Sequence, residues 1–276
     1  MILIDMHVHS TSSDGTFAPE QLPLAAKRRH LSFVSLTDHD TTSGLKRFGT
    51  ACGNEKISGL YGIELSADAH FTMHIMGYRV RLGCEALESR LEDVRAYRDR
   101  RNVEICAKLQ SLGMGDITVE GAAAFFKGEV VARPHIAQMM IARGYVSSIR
   151  EAFNRYIGAG APAYVPRVRP SAEECIEMIS AAGGLAVLAH PAQTRLSDDN
   201  LEKLLARLKD VGLWGLESIY SSHSPEQICK YLSLADKFGL YSTAGSDFHG
   251  ANSPGTELGM PVSEDFLPWA RLGVEI

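Results

Sequence analysis

The sequence predicts an α/β fold of the distorted (β/α)7 barrel type, with a helical subdomain inserted into it. Three observations carry this. Short apolar runs alternate with helix-patterned segments over residues 1–84 and 166–276, the pattern of parallel strands flanked by helices. Residues 85–165 show helical periodicity and no strand pattern. Acidic and imidazole side chains collect at the ends of the apolar runs, and in a parallel barrel those ends share one rim, where active sites are built.

The first strand is opened by Ile2, Leu3 and Ile4 and runs into His7-Val8-His9. Residues i and i+2 of a strand point the same way, so both imidazoles lie on one side. Asp14-Gly15 follows a Ser/Thr-rich loop. Pro19 to His30 has helical spacing, with Glu20 near its start and Lys27, Arg28 and Arg29 near its end, as the helix dipole prefers. Leu31 to Leu36 is a strand running into Thr37-Asp38-His39-Asp40, Leu45 to Cys52 a helix, Ile57 to Leu65 a strand carrying Glu64, and His70 to Val80 a strand containing His74.

From Cys84 the texture changes. Leu87, Leu91, Val94, Val103, Ile105, Leu109 and Leu112 mark one long charged helix ending at Gly113, followed by shorter helices over Val119 to Phe126, Pro134 to Arg143 and Ile149 to Tyr156. Pro162, Pro166 and Pro170 mark the return. Alternation then resumes with a helix over Ala172 to Ala182, stopped by Gly183-Gly184, and a strand over Leu185 to Ala189 ending in His190-Pro191. A helix over Asn200 to Val211, a strand over Leu213 to Tyr220 carrying Glu217 and a helix over Pro225 to Phe238 come next. The strand Leu240 to Ala244 runs into Gly245-Ser246-Asp247-Phe248-His249-Gly250. Roughly seven strands emerge.

At 276 residues, with 45% hydrophobic and 22% charged, the chain has an ordinary globular composition. A formal charge of -5 argues against a duplex-DNA surface, which needs a broad basic field. Cys52, Cys84, Cys106, Cys175 and Cys229 form no CxxC pair and read as free thiols of a reducing compartment. No leader pattern and no apolar run of membrane-spanning length is seen. Cleavage of an N-terminal peptide would remove His7 and His9, so a cytoplasmic protein is expected, with no membrane partner.

The candidate ligands are His7, His9, Asp14, His39, Glu64, His74, His190, Asp247 and His249. Imidazole and carboxylate without thiolate suit Mn²⁺, Zn²⁺ or Fe²⁺. The set exceeds what one ion can take, so two or three ions sharing a bridging carboxylate are expected, with Glu64 as the bridge. Multi-metal sites of this kind activate water and clamp the attacking and leaving oxygens of a phosphoryl displacement.

His7-Val8-His9-Ser10, Thr37-Asp38-His39-Asp40, Leu188-Ala189-His190-Pro191 and Ser246-Asp247-Phe248-His249 resemble, in order, the four motifs of the PHP (polymerase and histidinol phosphatase) superfamily. The resemblance spans Met1 to about Tyr78 and Ala161 to Ile276, and no ligand position of its pattern is missing. It implies a distorted barrel with three divalent ions, Mn²⁺ as the activating one. By position, His7, His9, Glu64 and Asp247 would hold one ion, Glu64, His74 and His190 a second, and Asp14, His39 and His249 a third.

Ala132-Arg133-Pro134-His135-Ile136-Ala137, inside the insertion, is similar to a stand-alone bacterial subgroup of nucleoside 3′,5′-bisphosphate phosphatases and 5′-3′ exoribonucleases. That implies removal of the 3′-phosphate from a substrate such as 3′-phosphoadenosine 5′-phosphate, or exonucleolytic cutting of short 5′-phosphorylated single-stranded RNA, with residues 85–165 covering the substrate. The alternatives are a histidinol-phosphate phosphatase, a C–N hydrolase of the wider barrel superfamily and a non-catalytic PHP module partnering a polymerase. The candidate catalytic residues are Asp247 and His223. Candidate substrate-binding residues are Arg133 and His135 at a predicted helix start, Arg169 beside Arg167 at the return, Arg195 after His190, and Ser222 and His223 past the Glu217 strand. Guanidinium groups and helix N-termini receive phosphate well. Arg133-Pro134-His135 also suits a helix cap, and Arg95, Arg98, Arg100 and Arg101 read as a solvated helix face.

Overall fold

The structure, a computed structural model, describes residues 1–125, 131–166 and 168–274. Phe126, the predicted end of an insertion helix, and Arg167 lie outside the described residues. Those described include ten α-helices and eight strands, and the strands form the sheet of the expected α/β barrel. The strands are β1 (Ile2–Val8), β2 (Phe33–Leu36), β3 (Ser58–Ser66), β4 (His74–Tyr78), β5 (Leu185–Leu188), β6 (Gly215–Tyr220), β7 (Tyr241–Gly245) and β8 (Met260–Val262). Their order in the sheet is β7-β6-β5-β4-β3-β2-β1-β8. The ring is brought close to closure where Val8 bridges Phe248, Asp247 N–H donates to the His7 carbonyl at 2.9 Å and His9 N–H to the Phe248 carbonyl at 2.9 Å.

Two strands depart from simple alternation. β4 runs antiparallel to both β3 and β5, with His74 opposite Ser66. Only residues 67–73 separate β3 from β4, too few for a parallel crossover, which needs roughly a dozen or more. The reversal brings the first residue of β4 to the rim where the parallel strands end. β8 lies antiparallel to the start of β1, with Pro261 opposite Leu3, and is the strand beyond the seven expected. Proline is tolerated at such a sheet edge and breaks the sequence signal for a strand.

The helices are α1 (Leu22–Arg28), α2 (Leu45–Glu55), α3 (Glu85–Ser111), α4 (Val119–Phe125), α5 (Arg133–Ala142), α6 (Ile149–Ala152), α7 (Ala172–Ala181), α8 (Asp198–Asp210), α9 (Pro225–Lys237) and α10 (Trp269–Leu272). The predicted helix Ile149 to Tyr156 is the short α6 continued by a wider π turn over Phe153–Ile157. α8 buries Leu201, Leu204, Leu205 and Leu208, a stripe at helical spacing, each worth about 1.5–3 kcal/mol of burial. α7 and α9 start at reciprocal caps, Ser171 with Glu174 and Ser224 with Gln227. No described helix is long and apolar enough to cross a membrane.

The chain forms two compact units, Met1–Arg90 with Arg169–Ile276, and Leu91–Val168, the division falling within α3. The first packs Ile4, Met6, Phe33, Met76, Tyr78, Val187 and Ala244 as its barrel core. The second has its own core of Ile105, Leu109, Ile136, Met139, Met140 and Ile157.

Candidate metal centre

At the rim the strands deliver their polar ends to one place. β1 supplies His7, the residue just after β1 His9, the turn after β2 His39, β3 Glu64, β4 His74, the turn after β5 His190, and the turn after β7 Asp247 and His249. His190 (φ 25) and Asp247 (φ 60) hold positive φ, a sparsely populated backbone for side-chain-bearing residues that persists where surrounding contacts impose it.

Glu64, fully buried, is the hub. Its Oε2 lies 3.3 Å from His7 Nε2, 3.2 Å from His9 Nε2 and 3.0 Å from His39 Nδ1. Its Oε1 lies 2.9 Å from both His74 Nδ1 and His190 Nε2. Asp247 Oδ1 stands 3.3 Å from His7 Nε2 and 3.2 Å from His9 Nε2, and Asp14 Oδ1 3.2 Å from His249 Nε2. The structure thus brings together all the side chains named as candidate ligands. Three sets have donor atoms close enough to share an ion: His7, His9, Glu64 and Asp247; His9, Asp14, His39 and His249; and His39, Glu64 and His74. His190 falls in none of these sets but contacts Glu64 Oε1 through Nε2 at 2.9 Å.

The donor atoms fit divalent ions for a reason independent of their number. His7 Nε2, both nitrogens of His9, His39 Nδ1, Glu64 Oε2 and Asp247 Oδ1 are buried without a hydrogen bond. Unsatisfied buried polar atoms are costly, about 1–3 kcal/mol each, and a cluster of them converging on one point is what cations would compensate. Burial disfavours the charged form of Glu64, but His39, His7 and His74 outweigh it and hold the carboxyl well below its usual range. Burial likewise lowers His9, but Asp247 and Glu64 carry it up to about 10. Burial prevails at His74, whose pKa is lowered despite Glu64.

The candidate substrate residues are placed less uniformly. His223 is buried past β6; its Nδ1 donates to the Ser218 carbonyl at 3.1 Å, its ring packs on Tyr220 and Tyr231, and its Nε2 has no hydrogen bond. Burial lowers its pKa, so the ring is neutral at pH 7. Ser222 is exposed beside it. Arg195 is exposed in a left-handed turn (φ 54) just after the His190–Thr194 segment. Arg169 reaches the Ala67 carbonyl, just past β3, at 3.4 Å. Arg133 and His135 belong to the helical unit. Ala132 N–H donates to His135 Nδ1 at 3.1 Å, which is helix capping, and Arg133 sits over the Phe153 ring and reaches the Ile157 carbonyl at 3.4 Å.

Sequence reading gave no role to four buried groups behind the ligands. Asp5 accepts from Ser246 N (2.9 Å), Ser246 Oγ (2.5 Å) and Gly259 N (2.8 Å), joining β1 to the Asp247 turn. Asp38 accepts from Ser10 N (2.7 Å), Ser10 Oγ (2.5 Å) and Ser13 Oγ (2.6 Å), holding the loop that carries Asp14. Tyr220 donates to Asp247 Oδ2 at 3.0 Å, and Glu217 contacts His7 and His190. A signal existed: carboxylates inside apolar strands, such as Asp5 after Ile2-Leu3-Ile4, must be paired to be buried.

A barrel whose rim carries imidazoles and carboxylates around one central carboxylate is the site of a metal-dependent hydrolase. The chain matches the PHP domain over residues 5–209 and belongs to that family. Its homologues and structural neighbours make it an enzyme of the phosphoesterase type. It is 33% identical over 273 residues to a 3′,5′-nucleoside bisphosphate phosphatase from Chromobacterium violaceum, covering 98% of this chain and 95% of that one. It is 32% identical to the 5′-3′ exoribonuclease Rnm of Escherichia coli, covering 99% and 92%. Its fold is similar to a solved structure from Bifidobacterium adolescentis proposed as a metal-dependent phosphoesterase, with TM-score 0.78, 32% identity and coverage of 95% and 92%.

Proposed function

We propose that this phosphoesterase uses three divalent ions, with Mn²⁺ as the activating one, to remove the 3′-phosphate from nucleoside 3′,5′-bisphosphates and release the 5′-monophosphate. The observation that carries the reading is the Glu64-centred cluster, in a chain aligned over nearly its whole length with a phosphatase of that name. His7, His9, Glu64 and Asp247 would hold one ion, Glu64, His74 and His190 a second, and Asp14, His39 and His249 a third. Bound there, the ions would supply Lewis-acid charge and lower the pKa of a coordinated water.

The protein's own groups do the remaining work. Asp247, fixed by the Tyr220 hydroxyl on one oxygen, keeps the other directed at His7 and His9. Neutral His223 keeps a proton on Nδ1 and a lone pair on Nε2, suited to accept a hydrogen bond from a substrate hydroxyl or water. Arg195 and Arg169 offer guanidinium charge to phosphate oxygens. A second reading, exonucleolytic cleavage of short 5′-phosphorylated RNA, is favoured by the full-length similarity to the E. coli exoribonuclease. There a phosphodiester replaces the terminal 3′-phosphate.

The test is phosphate and nucleotide release by Mn²⁺-loaded protein from nucleoside 3′,5′-bisphosphates, simple monophosphates, histidinol phosphate and 5′-phosphorylated dinucleotides. Fastest turnover of the bisphosphate is expected. Preference for the dinucleotide would move the assignment to the exoribonuclease, and faster histidinol phosphate turnover or no turnover of any nucleotide would sink both.

A further inference from the structure

Glu217 is fully buried in the middle of β6, between buried Leu216 and Ser218, and it belongs to none of the sets whose donor atoms converge. Its two oxygens do separate jobs. Oε1 accepts from His7 Nδ1 at 2.9 Å, and Oε2 accepts from the His190 backbone N–H at 2.6 Å. The first contact leaves His7 Nε2, the other ring nitrogen, directed at Glu64 and Asp247. The second grips His190 where its backbone takes the unusual values φ 25 and ψ 64. One carboxylate thereby sets a side-chain ring on β1 and a strained turn after β5.

The surrounding chain is cut to fit this contact. A Cβ on Gly245, in β7, would stand 2.3 Å from His7 Cβ and 2.7 Å from Glu217 Oε1. No side chain other than glycine's lets β7 pass so close behind the pair.

We propose that Glu217 is a positioning residue for two metal sites at once, orienting the His7 imidazole toward one and fixing the His190 turn for another. The inference rests on the metal reading given above. A histidine that donates one ring N–H to a carboxylate presents its other nitrogen in a fixed direction and with raised basicity, and loss of such a partner costs roughly 10–100-fold in metal affinity or activity. Both Glu217 contacts are with N–H donors. Glutamine has one acceptor oxygen and one amide group, so Glu217→Gln keeps the shape and must set a donor against a donor at one of the two places.

The experiment measures bound metal per chain for wild type and Glu217→Gln after equilibrium dialysis against graded Mn²⁺, and in parallel Zn²⁺, together with thermal unfolding of the chelator-treated proteins. The expected result is a half-saturating Mn²⁺ concentration raised about 10–100-fold, with the metal-free variant unfolding within a few degrees of wild type. Equal affinity in the two proteins would overturn the proposal. So would a variant that does not fold or whose metal-free form unfolds far below wild type, since Glu217 would then hold the barrel rather than aim its ligands. Failure of wild type itself to bind either metal would reject the metal reading instead, so the two failures are distinguishable.

Discussion

The Glu64 carboxylate, within 3.3 Å of the His7, His9 and His39 ring nitrogens, favours protons on those three rings when no cation is there to balance it. His9 shows the consequence. With its pKa at about 10, the ring is protonated at neutral pH in the metal-free protein, and a proton must leave before a ring nitrogen can bind an ion. Mn²⁺ affinity is therefore expected to rise with pH between about pH 6 and pH 9, with proton release on binding measurable by indicator dye in weak buffer. Affinity independent of pH over that window would contradict the ligand role of His9. The stability of the metal-free fold has the opposite dependence. A raised folded-state pKa contributes stability that is fully present below the ring's ordinary value of about 6.5 and is lost as pH climbs through about 10. Alkaline conditions should favour metal uptake while weakening the metal-free protein. The candidate ligands were legible in sequence because imidazoles and acids stood at strand ends, and the structure brings those side chains together. The partners of Glu217, Asp5 and Tyr220 were not, because they depend on which strands become neighbours.

At the scale of elements, strands and the turns after them carry the candidate ligands, and the loops must then be held still. Asp38, in the turn after β2, pins the Ser10–Asp14 loop through Ser10 N, Ser10 Oγ and Ser13 Oγ. Asp38→Ala leaves those buried donors without acceptors, which costs about 1–3 kcal/mol. The urea midpoint should fall accordingly and the Asp14 end of the cluster should hold its ion more weakly. An unchanged midpoint would show that the serines find other partners. Element types were readable from periodicity, and most boundaries fall within a few residues of those expected. Strand direction was readable only from loop length: residues 67–73 are too short for a parallel crossover, and that reversal is what carries His74 to the rim. β8 was hidden by Pro261 and by its length of three residues.

For the whole molecule, ions at the rim would link residues from β1, β3 and β4 with the turns after β1, β2, β5 and β7, which are distant in sequence, and no such cluster occurs among the described residues of Leu91–Val168. A ligand that binds only the folded state stabilises it by RT ln(1 + [L]/Kd), about 2.7 kcal/mol at a hundredfold excess over Kd. The stabilisation should be unevenly distributed. The barrel amides whose exchange requires opening of the rim would be slowed, whereas those of α5, packed through Ile136, Met139 and Met140 into their own core, would exchange as in the metal-free protein. Hydrogen exchange read by mass spectrometry, with and without Mn²⁺ and after chelation, checks this. Slowing confined to peptides from β1 to β5 and β7 with the turns that follow them, reversed by chelator, is the expected pattern. Equal slowing in α5 would mean that the chain opens as one cooperative body despite its two cores, and no slowing at the rim would mean that the Glu64 cluster takes up no metal.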